Sequence, residues 1–208
     1  LNPDRSHSDR EHAPGPPATP PIQQQQIHGS LVEVRGLGVL ILGPSGVGKS
    51  ECVIELVRRG QRLVADDVVR LRTSPDGTRL VGWSPEHIRH YVEVRGLGLL
   101  CVADLFGREA TLDECEVSFI VRLAEPAPGT SFDRIGLDRR RERLLGVEIP
   151  MVELPVHAGS NLATLVDLAI RDWQLRLRGV NAARRLDEGL RSIGGAGSER
   201  PMGAGEGE

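Results

Sequence analysis

The sequence predicts an α/β fold with a mixed sheet and flanking helices, and three observations carry that prediction. The apolar run 39–42 leads into Gly43-Pro44-Ser45-Gly46-Val47-Gly48-Lys49-Ser50, and a helical pattern follows it. A short apolar run, Leu63-Val64-Ala65, ends in the acid pair Asp66-Asp67. Further strand-like and helix-like stretches then follow one another through the second half of the chain.

Taken in order, residues 31–35 read as a strand, Gly36-Leu37-Gly38 as a tight turn and 39–42 as the next strand. The glycine loop opens a helix over 48–59 that Gly60 closes. Residues 63–65 form a buried strand, 68–72 another, and Pro75-Asp76-Gly77 a hairpin turn. Residues 117–123 and 151–156 read as strands. Residues 160–178 read as a helix with Ser160 as its N-cap, with Leu162, Leu165, Val166, Ala169 and Trp173 on one face and Gly179 at its end. A last helix is expected over 181–193. Outside this body, residues 1–26 are rich in Pro, His and Gln and read as a disordered linker, and 194–208 as a flexible tail. The expected folded domain is 27–193. The chain opens on Leu1 rather than Met, as a piece of a longer protein would.

The heptad Val-Glu-Val-Arg-Gly-Leu-Gly occurs at 32–38 and again at 92–98. Two copies do not make a solenoid, and each reads as a strand ending in a Gly-x-Gly turn.

Composition narrows the function classes. The 208 residues suit one domain, and 39% hydrophobic content can build a core. A net charge of -3 argues against a general nucleic-acid binder, and Arg139-Arg140-Arg141 reads as solvated surface. No apolar run approaches the ~18 residues that span a membrane. Cys52, Cys101 and Cys115 are odd in number and lack a C-x-x-C pattern, so they are expected to be reduced thiols in a cytoplasmic protein.

Among 26 basic residues Lys49 alone is lysine, and it stands in the glycine loop. G-x-x-x-x-G-K-S between a strand and a helix is a phosphate-binding loop. Residues 43–50 present backbone N–H groups to phosphates, Lys49 is a point charge that reaches the β/γ-phosphates, and the Ser50 hydroxyl is placed for Mg²⁺. A carboxylate at the end of the next apolar strand, Asp67, belongs close to the terminal phosphate. There it holds metal through water in an ATPase, or accepts the proton of an acceptor hydroxyl in a kinase. Adjacent strand residues point to opposite faces, so one of Asp66 and Asp67 is expected to face the nucleotide and the other to support the loop.

GPSGVGKSE, VADD, VEVRGLG, FDRIGLD and IP…PV..G.NLA, in that order over about residues 27–190, resemble the catalytic domain of HPr kinase/phosphorylase. The resemblance implies a nucleotide-binding core related to that of the phosphoenolpyruvate carboxykinases. It also implies ATP and Mg²⁺ as cofactors, and as substrate a serine of HPr, the phosphocarrier of the sugar phosphotransferase system. Many members also reverse the reaction by phosphorolysis. By the same resemblance His28 matches the family histidine before the first strand, Lys49 the phosphate-binding lysine, and Ser50 and Glu93 magnesium ligands. Asp67 matches the carboxylate that takes and returns the serine proton, and Arg134 a catalytic arginine. Taken alone, His28 reads as a surface histidine, Glu93 as a strand-edge charge and Arg134 as a surface arginine. The family tends to form hexamers through this domain, so a homo-oligomer is expected.

The chain departs from the family twice. The family's PVRPGR segment, tied to dephosphorylation, reads Pro155-Val156-His157-Ala158-Gly159-Ser160 here, without either arginine. Long members carry an N-terminal domain of more than a hundred residues where this sequence has a Pro/Gln-rich stretch. Two other readings use the same loop: a kinase for a different acceptor, and a nucleotide-sensing module without transfer activity. Asp67, Glu93 and Arg134 together argue against the sensor, because binding alone needs only the loop.

Overall fold

The computed structural model describes residues 22–126, 140–157 and 159–195. The first half contains β1 (Gln24–His28), β2 (Ser30–Val34), β3 (Leu37–Leu42), α1 (Lys49–Arg58), β4 (Arg62–Ala65), β5 (Val68–Thr73) and β6 (Leu80–Trp83). The second contains β7 (Tyr91–Val94), β8 (Gly98–Cys101), α2 (Val102–Phe106), β9 (Glu114–Ala124), β10 (Arg140–Leu144), β11 (Val147–Pro155), α3 (Leu162–Leu177) and α4 (Ala182–Gly195).

β9 is the axis of the molecule. Its first residues pair antiparallel with β6, its middle pairs parallel with β3, and its last residues pair parallel with β11. The mixed sheet runs β1-β5-β6-β9-β3-β2-β4, with β11 and then β10 added beside the C-terminal half of β9. β3 and β9 are apolar on both faces because both faces are covered. Val39, Ile41, Phe119 and Val121 point to the side where Val53 and Leu56 of α1 and Val166 and Ile170 of α3 pack. Leu40 and Ile120 point to the other side, against Val64, Val69, Leu71 and Leu80. The period-2 alternation of each strand thus feeds two cores at once.

α1 and α3 both end as their glycines predict. Gly60 N–H donates to Val57 O and Gln61 N–H to Leu56 O at the end of α1. Gly179 and Val180 repeat the pattern on Arg176 and Leu175 at the end of α3.

Three expectations are corrected. Three of the four glutamines placed in the linker, Gln24, Gln25 and Gln26, belong to β1, which pairs with β5 in the register Gln24↔Arg72 to His28↔Val68. An edge strand pairs through its backbone, so it needs no apolar alternation and tolerates polar side chains. The predicted turn at 36–38 is Arg35-Gly36, with Leu37 and Gly38 already inside β3. The N-cap of α3 is Asn161, whose side chain accepts from Thr164 N–H at 3.0 Å. Ser160 instead accepts from His157 N–H, one residue too early to cap the helix. The tails over 1–21 and 196–208 lie outside the described residues.

The repeated heptad forms an antiparallel hairpin twice, in two registers. In the first copy Val34 faces Leu37 across a two-residue turn, with positive φ at both Arg35 (54°) and Gly36 (82°). In the second, Val94 faces Gly98, so the loop is one residue longer. Surroundings decide the difference. β3 lies against β9 so closely that a Cβ on Gly38 would sit 2.0 Å from Glu116 O. The second hairpin, β7–β8, is a separate two-stranded ribbon in which Gly98 meets nothing within 4 Å.

The same substitution at the two matching glycines should therefore have unequal cost. Gly38→Ala is expected to destabilise by about 3 kcal/mol or more, because backbone must move to admit the methyl. Gly98→Ala should cost about 1–2 kcal/mol, the strain of its positive φ alone. Urea denaturation of both variants measures the gap, and equal losses would contradict the packing argument.

Candidate active site at the glycine loop

The loop 43–48 joins β3 to α1, and its cleft is walled by three neighbouring segments. These are the end of β1, the Asp66-Asp67 corner between β4 and β5, and β7. Lys49, Ser50, Asp66, Asp67, His28 and Glu93 all line this cleft of about 140 Å³, together with Ser45, Glu51 and Arg95. Six residues from four separate stretches of the chain thus meet at one loop. Arg134 lies outside the described residues.

The acid pair does not split across two faces. Asp67 has φ 66°, outside the strand region, and Val68 N–H bonds back to Asp66 O at 2.8 Å. This tight corner turns both carboxylates into the cleft in different environments. Asp66 is buried, and its two oxygens accept from Ser30 Oγ at 2.6 Å and Ser50 Oγ at 2.8 Å. Burial pushes its carboxyl above the usual range, opposed by the hydroxyls of Ser30 and Ser50. Asp67 is exposed, and its Oδ1 lies 3.1 Å from His28 Nδ1. The backbone fixes that pair, since Gly29 N–H donates to Asp67 O and His28 sits opposite Val68.

Lys49 is buried at the start of α1, and its ammonium donates to Gly43 O at 3.0 Å and Pro44 O at 2.9 Å. Desolvation pulls its pKa below the ordinary lysine value, while Asp66 and then Asp67 counteract. Glu93 and Arg95 are two apart and exposed. The Arg95 guanidinium lies over Gly46, where a Cβ would meet Nη2 at 3.0 Å.

Sequence reasoning gave Asp66 only a supporting role and passed over Ser30 and Arg95. The acid doublet was a visible signal for Asp66. Arg95 lies in the VEVRGLG motif but was given no role there, and Ser30 had no signal, because its partner Asp66 is remote in sequence.

The donor set is hard and oxygen-rich: Ser50, Asp66, Asp67 and Glu93. Among the described residues no three or more such groups already converge on one point. Hard oxygen donors of this kind would suit Mg²⁺, which keeps several waters and takes one or two protein ligands plus phosphate oxygens.

Residues 22–190 match the family described as HPr Serine kinase C-terminal domain. The chain belongs to that family. The HPr kinase/phosphorylase of Geobacillus thermodenitrificans is 44% identical over 164 residues, 79% of this chain and 53% of that protein. The one from Bacillus cytotoxicus is 44% identical over 166 residues, 80% of this chain and 53% of that protein. The chain thus spans about half the length of these relatives. The solved HPr(Ser) kinase/phosphatase from Coxiella burnetii superposes with a TM-score of 0.68 at 31% identity, covering 74% of this chain and 99% of that one. Together with the observed topology this makes the fold a mixed α/β fold of the HPr kinase type. No described helix is long and apolar enough to cross a membrane.

Asp66 links pH to stability. Its carboxyl binds a proton more tightly in the folded than in the unfolded chain. The folded state is therefore favoured as pH falls through the folded-state value, and disfavoured once the group is ionised. Asp66→Asn should melt a few degrees above the parent at pH 7 without ligand. That advantage should shrink on acidification in thermal scans. A lower melting temperature at pH 7 would show that the two hydroxyl bonds outweigh the cost of burial.

Proposed function

We propose that this chain is the catalytic domain of an ATP- and Mg²⁺-dependent kinase that phosphorylates a serine of HPr. The observation that carries the reading is an exposed carboxylate, Asp67, held beside His28 at the mouth of a glycine loop, in a chain of this family. The catalytic domain, expected over 27–193, is assigned to residues 24–195, from β1 through α4, on a core of the phosphoenolpyruvate carboxykinase type. The enzyme works in the cytoplasm as a homo-oligomer, a hexamer by resemblance.

The loop N–H groups and Lys49 bind the phosphates. The ammonium gives two of its donors to Gly43 O and Pro44 O and has a third for a phosphate oxygen. Ser50 and Glu93 hold Mg²⁺, which neutralises charge on the transferring group when bound. Asp66 orients Ser50 through their hydrogen bond. Arg95, and Arg134 by resemblance, add positive charge where it develops on the phosphoryl oxygens.

The acceptor hydroxyl approaches Asp67. With Oδ1 facing His28, Oδ2 receives the serine proton as the oxygen attacks phosphorus. In reverse, the same oxygen returns the proton to the departing serine. Burial lowers the Lys49 pKa, and Asp66 and then Asp67 oppose that shift.

Mass spectrometry of HPr incubated with this chain, ATP and Mg²⁺ should show one added phosphoryl group on serine. Asp67→Asn should lower the rate by about 10²–10⁴-fold while nucleotide binding persists. Unmodified HPr despite bound nucleotide would favour another acceptor or a sensor. Phosphorolysis should be weaker than the kinase reaction, because His157 and Ser160 stand where family members carry phosphate-holding arginines. Efficient phosphate-dependent release of pyrophosphate from phospho-HPr would refute that ordering.

A further inference from the structure

Glu93 and Arg95 reach the cleft from a part of the molecule that the main sheet does not hold. The ribbon β7–β8 pairs with no other described strand. Its inner face, Val92 and Val94, packs on the apolar core beside α1. That contact is non-directional, so it fixes the depth of the ribbon better than its slide along the cleft. The rest depends on the base of the ribbon. There Val102 N–H donates to His90 O at 2.8 Å. The side chains of Arg89 and His90 turn to Asp113, whose Oδ1 lies 3.5 Å from Arg89 Nη1, 3.6 Å from His90 Nε2 and 4.0 Å from Arg108 Nη2.

Asp113 is itself tied to the frame of the site. Leu112 N–H donates to Leu63 O at 2.7 Å, and Thr111 forms a bridge with Leu63. Leu63 belongs to β4, whose end delivers Asp66 and Asp67, and the residue after Asp113 opens β9. We propose that Asp113 is a positioning residue: by holding Arg89 and His90 it sets the ribbon against β4, so that Glu93 stands beside Ser50 to take up the magnesium ion. This rests on the reading of Glu93 and Ser50 as metal ligands.

The cost of this clasp points to the site rather than to the turn. His90 has φ 70°, a left-handed conformation that strains a side chain. In the same ribbon Gly96 and Gly98 take such positions, at 85° and 87°, without that strain. A histidine at this corner is there for its imidazole. The ring is buried, and neither its Nδ1 nor the buried Nε of Arg89 has a hydrogen-bond partner among the described residues. Strain and unpaired polar atoms persist where the surrounding structure over-determines them, and they concentrate at functional sites. Burial, and then Arg108, push the His90 pKa below the usual histidine value, so a neutral ring fills the corner and the two guanidiniums carry the charge that faces Asp113. Each pair is weak alone because Asp113 is exposed. All three share one carboxylate, so its removal releases the base of the ribbon at once.

Asp113→Asn keeps the shape and removes the charge. In the full chain it should raise the Mg²⁺ concentration for half-maximal phosphorylation of HPr about tenfold, the effect of losing a group that orients a metal ligand. The rate at saturating Mg²⁺ should stay near that of the parent. Calorimetry gives a readout without turnover: the gain in ATP affinity on adding Mg²⁺ should shrink by a similar factor, with affinity for ATP alone unchanged. His90→Asn, which tolerates the positive φ, should shift both quantities in the same direction, and Asp113→Glu should bring them back. In a Glu93→Gln background Asp113→Asn should add nothing, because both act through one ligand. A general loss of stability lowers the amount of active protein and leaves these midpoints in place. Unmoved midpoints in Asp113→Asn, or an undiminished shift in the Glu93→Gln background, would overturn the inference and leave the kinase reading intact. A parent chain whose ATP affinity does not respond to Mg²⁺ would overturn the metal reading itself, and this inference with it.

Discussion

The site depends on one buried carboxylate. Asp66 receives a hydroxyl from Ser30 on β2 and another from Ser50 on α1, and so ties the sheet to the helix that carries the loop. Its charge is costly where it lies, as the upward shift of its pKa shows. Two donors offset part of that cost, and the remainder is held in the folded state. A group in that condition is ready for a cation: bringing positive charge to Ser50 relieves the strain that folding imposed. The geometry of Asp67 follows from the same corner. Because the chain turns sharply after Asp66, the neighbouring carboxylate swings out to His28 instead of pointing to the far side of the sheet.

The two copies of one heptad show how far local sequence reaches. Both form a hairpin, which local propensity is enough to specify. They differ in register, which it is not. Packing of Gly38 against Glu116 holds the first copy to a two-residue turn in the central sheet. The second copy, free of that contact, takes a longer loop and sets Glu93 and Arg95 beside the cleft. One sequence therefore serves as core in one place and as a wall of the site in another.

This pattern also explains what could be read in advance. The strand–loop–helix unit, the acid pair and the α1 and α3 boundaries carry local signals: apolar runs, glycines at positive φ, and a lysine in a chain of arginines. β1 carries none, since an edge strand of glutamines has no alternation, and only its pairing with β5 reveals it. The N-cap of α3 missed by one residue because serine and asparagine both cap well, and backbone geometry chose Asn161. Ser30 was invisible as a site residue for the same kind of reason. A serine opening an apolar strand has no marked chemistry until Asp66, 36 residues on, comes within 2.6 Å.

The single lysine gains its meaning from the coordinates. At 7% exposure its head group meets two carbonyls of the loop, Gly43 O and Pro44 O, at 3.0 and 2.9 Å. Three donors on a compact ammonium match two carbonyls and leave one for an incoming oxygen. A guanidinium brings five donors in a rigid plane, more than this pocket can satisfy, and leaves buried N–H groups unpaired. Among the described residues no arginine is buried as Lys49 is. Among the described residues the lone lysine thus holds the one buried lysine or arginine position, where a small, mobile cation fits.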